Sequence, residues 1–327
     1  MNQDTNILQM SAIAGVVAFV ITVFIAPVVI PWLRRFKFGQ QVRTDGPQTH
    51  LAKQGTPTIG GIIFLLGITI TSLIYIDKVN LYLLLFMLSC GVIGFIDDYA
   101  KIKKKQSEGL NQKEKLIAQF IVTSLFLFYV HTSVDSYRLL IIPFVNKSLD
   151  LGLLYYPFFY LFTIGVINAV NITDGLDGLA TGVTALVSVF FAFVLMTMGL
   201  YDEVILPFII TGALVSFLIF NFKPAKVFMG DTGSLALGGF IAGIATVSHL
   251  QIFILIVGII YFVEALSVII QTGYFKYTRK KYGEGIRVFK MAPYHHHLEQ
   301  KGMGERDIVL RFYLITAIGC IVGYLII

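Results

Sequence analysis

Residues 81–105 read LYLLLFMLSCGVIGFIDDYAKIKKK. An apolar run long enough to enter a bilayer closes on two adjacent carboxylates, Asp97 and Asp98, and a basic tail starts at Lys101. A charged side chain at the bilayer centre costs about 3 kcal/mol or more, so an acid at membrane depth signals a functional site. Two further apolar stretches end in the same way. NITDGLDG (171–178) carries Asp174 and Asp177, and FMGDTGS (228–234) carries Asp231. A single Asp of this kind reads as a helix end touching water. Five of them, in three motifs punctuated by Gly and Asn, read as parts of one site.

The rest of the chain fits that membrane reading. Over 327 residues it is 56% hydrophobic and 13% charged, with a mean hydropathy of +0.80. This is too apolar for a water-soluble domain and matches an all-α polytopic membrane protein. No long polar stretch leaves room for a separate soluble domain, so residues 1–327 read as one integral membrane domain. Cys90 and Cys320 both sit in apolar runs, where packing is the expected role; they make neither a disulfide framework nor a CxxC metal site. The first apolar run begins near Met10 without a basic flank and is long enough to span, so no cleavable signal peptide is expected.

A spanning helix needs about 20 mostly apolar residues. Ten segments qualify, near 10–33, 58–76, 80–97, 116–133, 153–170, 178–199, 204–222, 233–248, 250–275 and 307–327. The eighth is short and Gly-rich, and the count of ten depends on dividing 233–275 at His249 and Gln251. Charge supports the count. Of the 25 Lys and Arg residues, only Lys78, Arg138 and Lys147 fall in loops after even-numbered segments. The positive-inside rule then makes the odd loops cytosolic and both termini external. Every polar motif lies in or beside an odd loop: Lys53 and Thr58, the Asp97–Asp98 pair, the 171–178 motif, Asp231, and a triplet His295, His296 and His297. The economical explanation is one cleft between helices on the cytosolic face.

Clustered carboxylates without thiols suit a hard cation, Mg²⁺ first among them, held by one or two acids together with substrate phosphates. Lysines around the acids would hold those phosphates. Gly230 and Gly233 flank Asp231 and let backbone approach a ligand closely, and Ser234 is placed to cap the helix that follows. The His triplet offers hydrogen bonds or proton transfer near neutrality. It makes a poor zinc site, because three adjacent His on a helix cannot all point one way. Together these parts suggest metal-assisted chemistry on a phosphoanhydride at the membrane surface.

The segments DGPQTHLAKQGTPTIGG (45–61), GFIDDYAKIKKK (94–105), NAVNITDGLDGLA (168–180), VFMGDTGSLALGG (227–239) and MAPYHHHLEQKG (291–302) resemble the signature segments of the phospho-N-acetylmuramoyl-pentapeptide transferase family. The resemblance covers the whole chain in order. The paired Asp and the NxxDGxDG pattern are shared with the wider polyprenyl-phosphate sugar-1-phosphate transferase superfamily. The HHH segment and GTPT look specific to the muramoyl-pentapeptide branch. Departures are mild: Ile59 where Met is common, Ile172 for Leu, Thr232 for Val and Tyr294 for Ile.

The resemblance implies a reaction. Undecaprenyl phosphate would attack the β-phosphate of UDP-MurNAc-pentapeptide, forming lipid I and releasing UMP. It also implies residue roles. Asp231, with Asp174, would ligate Mg²⁺. Asp97 would act toward the lipid phosphate with Asp98 beside it. Asn171, Asp174, Asp177, Asn221, Phe228 and Gln271 would line the nucleotide side. Lys53, Lys101 and Lys115 would bind phosphate, with Thr58, Gly230 and Ser234 nearby, and His295, His296 and His297 would contact phosphate or sugar. Partners would be the nucleotide substrate, the lipid carrier and the bilayer of the bacterial cytoplasmic membrane, with no nucleic acid, and the family suggests a homodimer. Glu264 reads as an interhelical hydrogen-bond partner, His131 and His249 as structural, and 134–152 as an external hairpin. Two other readings stay open: a sibling GlcNAc-1-phosphate transferase, and a transporter that uses intramembrane carboxylates.

Overall fold

The structure is a computed structural model and describes residues 2–35, 55–75, 78–104, 109–145 and 147–327. It is almost entirely helical. The long elements are α1 (Asn2–Arg35), α2 (Gly61–Ile74), α3 (Lys78–Lys104), α4 (Gln112–Ser133), α5 (Tyr155–Thr173), α6 (Leu179–Thr197), α7 (Ile205–Asn221), α8 (Gly230–Val247), α10 (Ile259–Tyr282) and α12 (Glu305–Leu325), with short helices α9 (Ile254–Val257) and α11 (Tyr294–Glu299) between them. A helical segment therefore stands at each of the ten expected places. Lys53 lies outside the described residues.

Eight of these helices are long and apolar enough to cross a membrane. The other two differ for physical reasons. At 14 residues, α2 reaches only about 21 Å, short of a bilayer core of about 30 Å. At 18 residues, α8 is long enough, but it opens on the polar sequence GDTGS and is buried from Thr232 to Val247. It is the centre of the bundle rather than a lipid-facing helix. The expected division after α8 falls at His249, whose φ of +60° turns the chain. The segment expected to start at 250 is itself broken: Gly258 separates the single turn of α9 from α10.

Helices α3 and α5 pack against α8, α1 against α7, and α6 against α7 and α12. The outer helices show large apolar side chains outward, among them Phe24, Val28, Leu125, Phe128, Leu161 and Leu325. Lipid tails are as apolar as these residues, so helix association must come from close packing and polar ties. Both are present. On α8, Gly238 meets the backbone of Ile167 and Gly239 meets Cys90, which is buried and free as packing predicts. The Tyr261 and Thr184 hydroxyls meet at 2.8 Å between α10 and α6, and Asn168 donates to Gln119 at 2.8 Å between α5 and α4. Each tie contributes about 0.6 kcal/mol in a membrane.

Antiparallel strands β1 (Leu139–Ile142) and β2 (Lys147–Asp150) form the expected hairpin, with Leu139 opposite Asp150. Ile141 donates its N–H to the carbonyl of His249 at 3.1 Å, so the hairpin docks at the C-terminal end of α8. The acidic motifs gather about 27 Å away at the other end of that helix.

Candidate active site

Helix ends build the site. Asp97, Asp98 and Lys101 occupy one face of α3, because residues three and four apart meet on a helix. Asp231 stands in the first turn of α8. Gly94 of α3 lies against the Asp231 carbonyl, where any side chain would clash, so the two helices can come together only at a glycine. Asp98 then caps α8. Its carboxylate accepts from the Asp231 N–H at 3.2 Å, the Thr232 N–H at 2.9 Å and the Thr232 hydroxyl at 2.8 Å. An anion is favoured at this positive helix end.

Ligand oxygens of Asp97, Asp98 and Asp231 lie within 4.8 Å of one another, a grouping that could hold a metal ion. Two ammonium groups bind the same oxygens. Lys101 Nζ stands 2.7 Å from Asp97 Oδ2 and 3.1 Å from Asp231 Oδ2. Lys115 Nζ, from the first turn of α4, stands 2.7 Å from Asp231 Oδ2 and 3.4 Å from Asp97 Oδ2. That turn is fixed by a reciprocal capping box between Asn111 and Glu114. The free oxygen of Asp231, Oδ1, accepts from Asn171 at 3.0 Å, and the same amide reaches Ser234 at 2.7 Å. Asp97 Oδ1 accepts the Leu110 N–H at 2.9 Å. The donor set is all carboxylate oxygen, which fits a hard cation. Asp174 is not one of the three grouped acids; it sits at the C-cap of α5.

The 171–178 motif forms the turn from α5 into α6. It ends at Gly178, whose φ of +79° an L side chain rarely adopts. The buried Asp177 accepts the Ala225 N–H at 3.1 Å. Next to it, the 222–229 segment carries Phe228, which is partly exposed and whose N–H and carbonyl bond Pro57 and Gly60. Gly230, at φ +70°, packs beside Thr58 and Asp98. Asn221 is more internal than expected. Its amide accepts from Thr181 at 2.6 Å and donates to the Val227 carbonyl at 3.0 Å.

The histidines differ from one another. His295 is 1% exposed. Its Nδ1 lies 2.9 Å from Glu264 and its backbone N–H also donates to Glu264, which makes Glu264 the expected interhelical partner. The other ring nitrogen abuts Gly175 in the acidic turn. His296 pairs with Glu299 at 2.8 Å, and His297 Nδ1 accepts the Lys290 N–H at 3.1 Å. Gln271 braces the following loop, accepting from Val288 and Phe289 and donating to the Phe289 carbonyl.

Sequence reading passed over three contributors. Glu305 and Tyr313 of α12 bind the acidic turn at the Asp177 N–H and the Gly178 carbonyl. The Gln119–Asn168 tie lies one turn from Lys115 and Asn171 and holds the helices that carry them. An acid in the first turn of an apolar helix was the only signal for Glu305. The amide pair gave none for Gln119, which stands in an apolar run, and Asn168, at the head of the 168–180 segment, was not singled out.

Comparison with known proteins gives the family. Residues 80–249 match the family model described as Glycosyl transferase family 4. The phospho-N-acetylmuramoyl-pentapeptide-transferase of Clostridioides difficile is 48% identical over 93% of this chain and 94% of its own length. Those of Acetivibrio thermocellus and Clostridium novyi are 47% and 45% identical, each over 94% of this chain and over 93% and 94% of their own lengths. With likeness of that extent over nearly its whole length, the chain belongs to the phospho-N-acetylmuramoyl-pentapeptide-transferase family.

Proposed function

We propose that this chain transfers phospho-MurNAc-pentapeptide from UDP-MurNAc-pentapeptide to undecaprenyl phosphate, with Mg²⁺, at the cytosolic face of a bacterial cytoplasmic membrane. The products are lipid I and UMP, and the step serves peptidoglycan synthesis. A phosphate oxygen of the lipid bonds to the sugar-bearing phosphorus, and the bond from that phosphorus to the bridging oxygen breaks with UMP as leaving group. The observation that carries this reading is the convergence of Asp97, Lys101, Lys115 and Asp231 at the end of an apolar bundle. A lipid phosphate and a soluble diphosphate can meet there.

Asp231, with Asp97 and Asp98 in reach, would hold the cation. A bound Mg²⁺ supplies positive charge where the diphosphate gains negative charge. Lys101 and Lys115 can turn from carboxylate to phosphate oxygens and neutralise them as substrate enters. Asp97 is 1% exposed, and its Oδ1 is held by the Leu110 N–H, so its second oxygen is oriented toward the lysines and the incoming lipid phosphate. Asn171 fixes Asp231, and the 171–178 turn with the Phe228 segment forms the nucleotide side. The basic residues of the odd loops support the cytosolic orientation.

The test is an assay of purified protein with undecaprenyl phosphate, Mg²⁺ and each of two nucleotides. UMP release with UDP-MurNAc-pentapeptide and none with UDP-GlcNAc is the expected result. Transfer from UDP-GlcNAc alone would assign the sibling reaction, and ion flux in proteoliposomes without UMP release would overturn an enzymatic role.

A further inference from the structure

The carboxylate of Glu305 is buried, at 5% exposure, in the first turn of α12. Both of its oxygens are engaged. Oε1 accepts the Asp177 N–H at 2.8 Å, and Oε2 stands 2.7 Å from Lys223 Nζ. Lys223 lies two residues past α7, in the segment that leads to Phe228. Asp177 closes the circuit by accepting the Ala225 N–H with its own carboxylate. Two turns along α12, the Tyr313 hydroxyl donates to the Gly178 carbonyl at 2.6 Å. Three separate pieces of chain are thus joined: the acidic turn, the α7–α8 segment and the start of α12.

Only the Glu305 end of this ion pair is buried, and a pair with a solvent-exposed lysine contributes about 1 kcal/mol or less to stability. This one is instead spent on geometry, since each of its bonds ends on a residue next to the nucleotide side. We propose that Glu305 is a positioning residue for the nucleotide half of the site. It holds the Asp177 backbone directly and the Phe228 segment through Lys223. The inference rests on the reaction proposed above. Asp97, Asp98 and Asp231, which would hold the cation, are grouped with one another and are not the residues that these bonds join, so Glu305 is expected to act on the nucleotide side alone.

The test compares Glu305→Gln, Lys223→Ala and the double variant with wild type, measuring kcat and a KM for each substrate. Loss of one charged hydrogen bond predicts a KM for UDP-MurNAc-pentapeptide raised about tenfold in Glu305→Gln. Lys223→Ala should show a smaller rise, and the double variant should be no worse than Glu305→Gln, because both act through one circuit. The KM for undecaprenyl phosphate and kcat should stay within about twofold. A purely structural role would lower kcat or move both KM values together, and either outcome overturns the proposal. So does an unchanged nucleotide KM in variants of an active enzyme. Lys223 is 41% exposed, so Lys223→Ala decides the matter if Glu305→Gln does not fold. A wild type that releases no UMP overturns the reaction itself, and the inference with it.

Discussion

Asp98 accepts a hydrogen bond from the backbone N–H of Asp231 at 3.2 Å, so one acid of the cluster holds the peptide unit that carries another. Asp98 acts in this structure as the cap of α8 as well as a neighbour of the reacting groups. The Thr232 hydroxyl adds a third bond to the same carboxylate. Asp98→Asn places an amide N–H against these donors. It should destabilise the protein by about 1–3 kcal/mol and lower activity by misplacing Asp231. Thr232→Val removes only the hydroxyl bond, should cost about 1 kcal/mol, and should leave kcat within about threefold. Thermal unfolding in detergent together with UMP release measures both. Equal damage from the two substitutions would contradict the capping role.

Asp231 and Asp97 share both lysines but should fail in different ways. Asp231→Asn removes the acid that contacts Lys101, Lys115 and Asn171 at once. UMP release should fall about 10²–10³-fold, with a weaker dependence on added Mg²⁺. Asp97→Asn keeps an oxygen for the Leu110 N–H, so the fold and nucleotide binding should survive while turnover is lost. Calorimetric titration with UMP beside the turnover assay separates the two. Near-normal turnover in Asp231→Asn would refute the metal role.

Much of this was legible in the sequence because hydropathy marks where polar groups interrupt apolar runs. Asp97, Asp98 and Asp231 stand at such interruptions, and so do the lysines around them. What hydropathy cannot read is which polar group satisfies which. Asp98 and Thr232 are 134 residues apart and Glu305 and Asp177 are 128 apart, and no local pattern links either pair. Gln271 follows the same logic: a polar residue late in an apolar helix reads equally well as a ligand contact or as a loop brace. Its three hydrogen bonds to residues 288 and 289 hold that loop in this structure. Burial explains α8, since apolar composition alone does not separate a helix at the centre of a bundle from one that faces lipid.

His297 gives a pH dependence of definite sign. Burial, and then the charges of Lys301 and Lys290, lower its pKa, so it is neutral at pH 7. Its Nδ1 accepts the Lys290 N–H, which only an unprotonated nitrogen can do. A depressed pKa contributes stability that is present above the ordinary His range near 6.5 and is lost as pH falls through the lowered value. The ring is partly buried at the surface loop, so the effect is local. Between pH 7.5 and 5, hydrogen–deuterium exchange of residues 288–292, corrected for intrinsic rate, should rise in wild type. It should change less in His297→Asn, whose amide oxygen accepts at any pH. Equal pH dependence in both proteins would rule out His297 as its source.

Lys147 tests the arrangement of the whole bundle. It is exposed on β2, paired with Ile142, and the hairpin docks on His249 at the end of α8 remote from Asp231. It is also one of only three basic residues assigned to the external side. Lys147→Ala should therefore leave kcat and both KM values within about twofold, since a screened charge some 27 Å away contributes almost nothing. A cysteine placed at 147 should react with a membrane-impermeant maleimide from outside intact cells, whereas one at Lys226 should not. Labelling of Lys226→Cys but not Lys147→Cys from outside would invert the orientation and remove the acidic cluster from the side where a cytosolic nucleotide arrives.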